Sequence, residues 1–224
     1  MSNIHNGSRR LHLQRVFVED VIKNNGKIVN LGCGEDPAQL QHANITHVDL
    51  DTYNHQNFVR ADICNLPFED NEFDLAILGD ILEHAPNPVT MLKESSRVAK
   101  RVIATVFEEW RLPHDGLNIE WAKENIRKDM TDRGFTNITG WMRSQPTIQS
   151  TLIDVDEKTS FDRLPHIWQF TEEILMDIIK QAELDIIIFS KFEEYRDHED
   201  PNQHWNNWLI VLRKCLNPTD TKTT

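Results

Sequence analysis

Five short apolar runs punctuate the first half of the chain: Lys27 to Leu31, Ile45 to Leu50, Phe58 to Ala61, Phe73 to Leu78 and Arg101 to Val106. They are continuous rather than alternating, the pattern of strands buried on both faces of a parallel sheet. Two more runs, Asp185 to Phe192 and Trp208 to Arg213, close the chain and are joined by an acidic loop, Glu193 to Asn206. Helical spacing falls between the runs. Ser8 to Asn24 sets Leu11, Val16, Val18, Val21 and Ile22 among polar residues and ends before Gly26, which predicts an amphipathic helix packed on the sheet and closing over a ligand. Asp36 before Pro37 opens a short helix, and Pro88 to Lys100 forms a longer one. Thr171 caps a helix running to Ala182, with acids from Glu172 to Asp177 and an apolar face of Ile174, Leu175, Ile178 and Ile179.

This order predicts an α/β fold: a Rossmann-like, seven-stranded, mostly parallel sheet with helices on both faces. Phe107 to Pro165 interrupts the pattern with charge, Trp, His and Pro around a helix from Leu117 to Arg133. It reads as a helical cap inserted within one domain spanning residues 1–224, and as a candidate homodimer surface. The tail from Asn217 is expected to fray, and the chain shows neither an internal repeat nor a low-complexity segment.

Composition narrows the function classes. No apolar run approaches the roughly 18 residues of a membrane span, and Met1 to Arg10 lacks the apolar core of a signal peptide. The expectation is a cytoplasmic protein without a membrane partner. Cys33, Cys64 and Cys215 lie far apart with no C-x-x-C pairing, so they read as reduced thiols. The formal net charge of -12 repels phosphate backbones, and no basic run offsets it. That argues against a nucleic-acid partner and favours a small-molecule substrate.

The informative stretch is Val29-Asn30-Leu31-Gly32-Cys33-Gly34-Glu35-Asp36-Pro37. A strand running into Gly-x-Gly turns tightly at the carboxyl end of a parallel sheet and lets a ligand lie against bare backbone. Asp49 ends the next strand, where a carboxylate can accept hydrogen bonds from both ribose hydroxyls. Asp62 follows the third strand and could reach the exocyclic amine of an adenine. The dinucleotide fingerprint rests a pyrophosphate on the helix that follows its glycines, but here Pro37 replaces the third glycine, and Glu35 and Asp36 would repel phosphate. S-adenosylmethionine (SAM) has no phosphate and carries a sulfonium and an ammonium, so it suits this acidic turn.

On these residues the sequence resembles the class I SAM-dependent methyltransferases of the type 11 kind, from about Lys27 to Val106 and more loosely through Arg213. The resemblance is carried in order by Val29-Asn30-Leu31-Gly32-Cys33-Gly34, by His47-Val48-Asp49-Leu50-Asp51, and by Ala61-Asp62-Ile63-Cys64-Asn65-Leu66-Pro67-Phe68. Asp70-Asn71-Glu72-Phe73-Asp74 and Ile81-Leu82-Glu83-His84 complete it. It implies that Gly32 and Gly34 face the methionine part of SAM, Asp49 its ribose, and Asp62 with Ile63 its adenine. Cys33 and Leu50 lie in the same motifs and join the cofactor-binding set, while Gly79 and Asp80 line the methyl-donor pocket. Three features depart from the family: the third glycine is missing, the fifth strand lacks its usual Gly-Gly turn, and the residues between Asp51 and Phe58 are too few for the helix that normally joins the second and third strands.

Methyl transfer is an in-line displacement that needs alignment and exclusion of water more than a general base. Asp80, His84 and His114 are the catalytic candidates, with Glu83 and His166 nearby in kind. Pairs such as Glu83-His84 also brace the fold in this family, which leaves Asp80 as the stronger candidate to face the ligand. Trp110, Trp121, Trp141 and Trp168, amid Glu108, Glu109, Asp115 and Glu120, could hold a cationic amine or could build the cap's own core. The leading expectation is a methyltransferase acting on an O or N nucleophile of a small molecule, with no metal. Beside it stand a nicotinamide dehydrogenase on a similar sheet, which would bind NAD, and two further alternatives. One is a SAM-binding interaction protein without turnover. The other is a metal-assisted RNA 2′-O-methyltransferase, because Asp80, Glu83 and His84 resemble the magnesium site of the small-RNA enzymes, although imidazole is an unusual magnesium ligand.

Overall fold

The computed structural model describes residues 9–34, 40–85, 87–108, 170–195 and 204–215. Helix α1 (Arg9–Lys23) leads into β1 (Ile28–Leu31), β2 (Ile45–Asp49), β3 (Phe58–Arg60) and β4 (Leu75–Gly79). A 3-10 turn (Leu82–His84), α2 (Pro88–Val98) and β5 (Val102–Glu108) follow. Helix α3 (Glu172–Gln181), β6 (Leu184–Tyr195) and β7 (His204–Lys214) complete the described chain. The short helix expected from Asp36 and residues 109–165 of the proposed cap, including Leu117 to Arg133, lie outside the described residues, whereas Phe107 and Glu108, expected to begin the cap, continue β5 by backbone pairing with β7.

One seven-stranded sheet runs in the order β3-β2-β1-β4-β5-β7-β6. Strands β1 to β5 pair in parallel, and β7 is antiparallel to both β5 and β6. The seven expected strands are all present and the parallel reading is correct. Between β1 and β4 the order of connection reverses direction. That is a topological switch point, where open α/β sheets leave a crevice beyond the carboxyl ends of their strands.

Local chemistry sets the helix ends. Asn87 caps α2 by accepting the Thr90 N–H at 3.0 Å, and Pro88 occupies the first turn where its missing N–H costs nothing. The helix stops at Val98, short of the expected Lys100, because Ala99 turns extended (φ -132°, ψ 146°) and bridges Phe73 in parallel. Thr171 caps α3 by accepting the Ile174 N–H at 3.4 Å, with Glu172 and Glu173 in its first turn and Lys180 in its last. The hairpin β6–β7 is longer than its hydrophobic pattern suggests. The ladder continues through Glu193↔Asn206 and Glu194↔Trp205 to Tyr195↔His204, so the ends of the expected acidic loop are strand. Backbone pairing needs no apolar side chain, which is why the pattern missed it.

Two apolar layers enclose the sheet. On one face Val18 and Val21 of α1 pack on Ile28, Ile45, Leu75, Ile77, Ile103, Leu209 and Val211. On the other, Met91, Leu92 and Val98 of α2 and Leu175, Ile178 and Ile179 of α3 pack on Val29, Leu31, Val48, Ala76, Leu78, Val102 and Ala104. Helices therefore cover both faces, as expected. No described helix is long and apolar enough to cross a membrane.

Candidate functional site

The turn after β1 lies at the switch point. Its first two N–H groups, Gly32 and Cys33, both donate to the Val48 carbonyl, at 2.8 and 3.1 Å, which holds the turn against β2. Gly32 (φ +70°) and Gly34 (φ +62°) adopt left-handed backbone that side chains disfavour. The two glycines differ in surroundings. A Cβ on Gly32 would lie 2.6 Å from Ile81 Cγ1, so packing excludes one there, whereas a Cβ on Gly34 would meet no described residue within 4 Å. Gly34 thus presents bare backbone to open space, the surface a ligand needs. Glu35 and Asp36 fall outside the described residues.

Asp49 reaches this turn from the end of β2. Its Oδ2 accepts the Gly34 N–H at 3.0 Å and its Oδ1 accepts the Asp51 N–H at 3.1 Å. Burial pushes its pKa up, and these N–H donors oppose the rise. Two donors leave further lone pairs on the carboxylate for hydroxyl donors. Beside it, burial and the Asp49 charge push the Cys33 thiol up to about 12, so it stays protonated. Leu50 is half-buried, and its carbonyl accepts Arg60 Nε at 2.6 Å.

Asp62 follows β3 and is 9% exposed. Its Oδ1 accepts the Cys64 N–H at 2.8 Å and its carbonyl accepts the Asn65 N–H at 2.9 Å, forming a tight turn. Ile63 is buried in the α2/α3 core. The turn is held from α2: Glu94 accepts the Leu66 N–H at 3.1 Å, and Arg97 donates to the Leu66 and Phe68 carbonyls at 3.0 and 2.8 Å. Arg97 also pairs with Glu94 and Asp70, at 2.8 and 3.0 Å. Hydrogen bonds from the guanidinium and the Leu66 N–H hold the Glu94 pKa below its usual value despite the opposing desolvation. By contrast, Asp74 sits at the opposite, amino end of the sheet, accepting from the Lys27 N–H and from Lys100 Nζ. That part of the motif is scaffold.

At the end of β4, Asp80 adopts φ +50°, and its N–H donates to the Thr105 carbonyl at 3.0 Å. Its Oδ1 accepts the Thr105 hydroxyl at 2.8 Å, and Thr105 Oγ1 accepts Gln14 Nε2 at 3.2 Å. Helix α1 therefore reaches the site through a buried relay. Gly79 makes room for it, since a Cβ there would stand 3.0 Å from Gln14 Nε2. Glu83 is 1% exposed and His84 half-buried on the 3-10 turn, while His114, His166 and the cap tryptophans lie outside the described residues. Among the described residues no group of three or more His, Cys, Asp or Glu side chains could hold a metal ion.

Sequence reasoning missed Gln14, Thr105, Glu94, Arg97 and a histidine pair. Asn30 Nδ2 donates to His47 Nδ1 at 3.3 Å, both side chains being buried, and burial, with His55 nearby, lowers the His47 pKa to about 4. His55 contacts the Gly34 carbonyl at 2.7 Å. One signal was available: the short connection after Asp51 forces its residues close to the first turn.

Residues 29–102 match the family model described as a methyltransferase domain. A demethylmenaquinone methyltransferase of Staphylococcus haemolyticus is 33% identical over 75 residues, 34% of this chain and 29% of that protein. One from Bacillus pumilus is 26% identical over 106 residues, 45% of this chain and 44% of that protein. The chain thus spans less than half the length of these relatives. Among solved structures, a SAM-dependent methyltransferase of Methanosarcina mazei superposes with TM-score 0.55 at 16% identity, over 90% of this chain and 98% of that one. The [4+2]-cyclase SpnF superposes with TM-score 0.54 at 14% identity, over 92% and 81%. These likenesses share the fold. Members of the matched family use SAM, and the bare Gly34 backbone, the Asp49 lone pairs and the acidic surroundings suit a phosphate-free cationic nucleoside. Residues 29–102 thus match a methyltransferase domain, and the strand order around them gives the chain the fold shared by the solved SAM-dependent methyltransferase.

Proposed function

We propose that the chain transfers a methyl group from SAM to a small-molecule acceptor. The observation that carries this reading is the convergence of Gly34, Asp49, Asp62 and Asp80 at the carboxyl ends of β1 to β4, beside the switch point. When bound, SAM supplies an electrophilic methyl on a sulfonium. The chain's own residues bind and align. Gly34 offers backbone to the methionine part, Asp49 accepts from the ribose hydroxyls, and Asp62 accepts from the adenine amine. Asp80, aimed by the Thr105 hydroxyl, lies on the acceptor side, where its carboxylate orients the nucleophile and can take its proton. The net charge of -12 supports an acceptor that is not a polyanion, and the names of the two bacterial relatives support a small organic one.

The SpnF likeness keeps a second reading in view, because one fold hosts different chemistries. Transfer of labelled methyl to a panel of amines, alcohols and demethylated quinones separates the two. Product formation with at least one acceptor class, lost in Asp80→Asn with cofactor affinity kept, is the expected result. Cofactor binding with no transfer across the panel favours a binding protein without turnover.

A further inference from the structure

The connection from β2 to β3 is one of the features that depart from the family resemblance. Residues 50–57 form bends and a turn without a helix. The connection carries His55, whose Nε2 lies 2.7 Å from the Gly34 carbonyl oxygen. A carbonyl oxygen only accepts, so Nε2 bears the proton and donates. On the other side of the same residue, the Gly34 N–H donates to Asp49 at 3.0 Å. Both peptide groups flanking the Gly34 Cα are therefore claimed, one by β2 and one by the connection after it. Gly34 needs such fixing. It holds φ +62°, and no described residue comes within 4 Å of a notional Cβ there.

The His55 ring is itself positioned. It stacks on Tyr53 (centroids 5.7 Å apart, planes at 23°) and meets Phe58 edge-on at 6.2 Å and His47 at 5.4 Å. His47 is anchored in turn by Asn30, from the strand that leads into the glycine turn. The path closes on itself: β1 to Asn30, His47, His55, Gly34 and back to β1.

We propose that His55 is a positioning residue for the cofactor site, presetting the Gly34 backbone through its Nε2–H as the counterpart of Asp49. This rests on the SAM-binding reading of the site. Presetting removes the ordering cost that a ligand would otherwise meet on binding a glycine turn. The role belongs to this chain's short connection, since a residue must come close to the turn to reach its carbonyl.

Two variants separate the hydrogen bond from the ring packing. His55→Phe keeps an aromatic ring against Tyr53 and Phe58 but cannot donate, and His55→Gln loses the ring but keeps an amide donor at similar reach. Calorimetric titration with S-adenosylhomocysteine is expected to show about tenfold weaker binding for His55→Phe. For His55→Gln the loss should stay within about threefold. Thermal melting of the ligand-free proteins supplies the structural readout. The reverse order of affinities, or equal affinities with only melting temperature changed, overturns the proposal. If the variants fail to fold, long-range ¹H–¹⁵N correlation on the unmodified chain still decides. A His55 Nε2–H tautomer is expected, and an Nδ1–H tautomer overturns the clamp. Failure of the unmodified chain to bind S-adenosylhomocysteine overturns the SAM reading and this inference together. Binding by the unmodified chain that His55→Phe leaves unchanged overturns only this inference.

Discussion

The two faces of the central sheet differ in where their apolar layer stops. Toward α2 and α3 it continues to the strand ends: Leu31, Val48, Leu78, Ala104 and Val106 are all fully buried. Toward α1, Ile28, Ile45, Leu75, Ile77 and Ile103 give way along the same strands to Asn30, His47, Gly79 and Thr105, with Gln14 of the helix against Gly79 and Thr105. Strand alternation puts each polar residue two places beyond an apolar one. One face is pure packing. The other trades packing for hydrogen bonds in its last layer, and those bonds lead to Asp80 on one side of the switch point and to Gly34 on the other. Buried polar groups need every partner satisfied and so specify geometry more sharply than apolar contacts do. The polar layer thus explains how a small sheet holds a site in register.

Substitutions on the two faces should differ in kind. The largest loss belongs to the apolar face. Leu92→Ala, at a fully buried position of α2, should lower stability by about 3 kcal/mol in urea unfolding while the folded fraction keeps its cofactor affinity. Next comes the pH response of the polar face. His47 is neutral when folded, with its pKa lowered from 6.5 to about 4, so the unfolded chain binds the extra proton. Its contribution is fully present above about pH 6.5 and is lost as pH falls toward about 4, by on the order of 2 to 3 kcal/mol. Urea midpoints for the unmodified chain minus those for His47→Gln should show that slope, and parallel curves would remove His47 from the account. Asp49→Ala should cost about 2 kcal/mol of SAM affinity, read by calorimetry, with a smaller change in stability. Smallest is Thr105→Val, which keeps the shape but strands Gln14. A loss of about 1 kcal/mol is expected, with Thr105→Ser restoring most of it. If Thr105→Val is neutral, the relay to Asp80 is not a structural element.

Legibility in the sequence followed the same division. The apolar layers read directly, because runs such as Ile28 to Leu31, which feed both faces of the sheet, and the Ile174–Leu175–Ile178–Ile179 spacing encode burial locally. The positions of the glycine turn, Asp49 and Asp62 at strand ends were also legible, since strand ends can be located once strands are. The polar layer was not. Gln14 and Thr105 are 91 positions apart, and His55 and Gly34 are 21 apart, so no local pattern signals that they meet. Nothing local distinguishes Arg97 and Glu94 from other charges on a helix, yet they hold the turn that carries Asp62. The extension of β6 through Glu193 to Tyr195 was hidden because backbone pairing leaves no hydrophobic pattern in the sequence.

The central claim is that the turn after β1 receives a phosphate-free nucleoside. Titrating the unmodified chain with S-adenosylhomocysteine and, in parallel, with NAD tests it most directly. Saturable one-to-one binding of S-adenosylhomocysteine without binding of NAD is the predicted result. Binding of NAD without S-adenosylhomocysteine would contradict it.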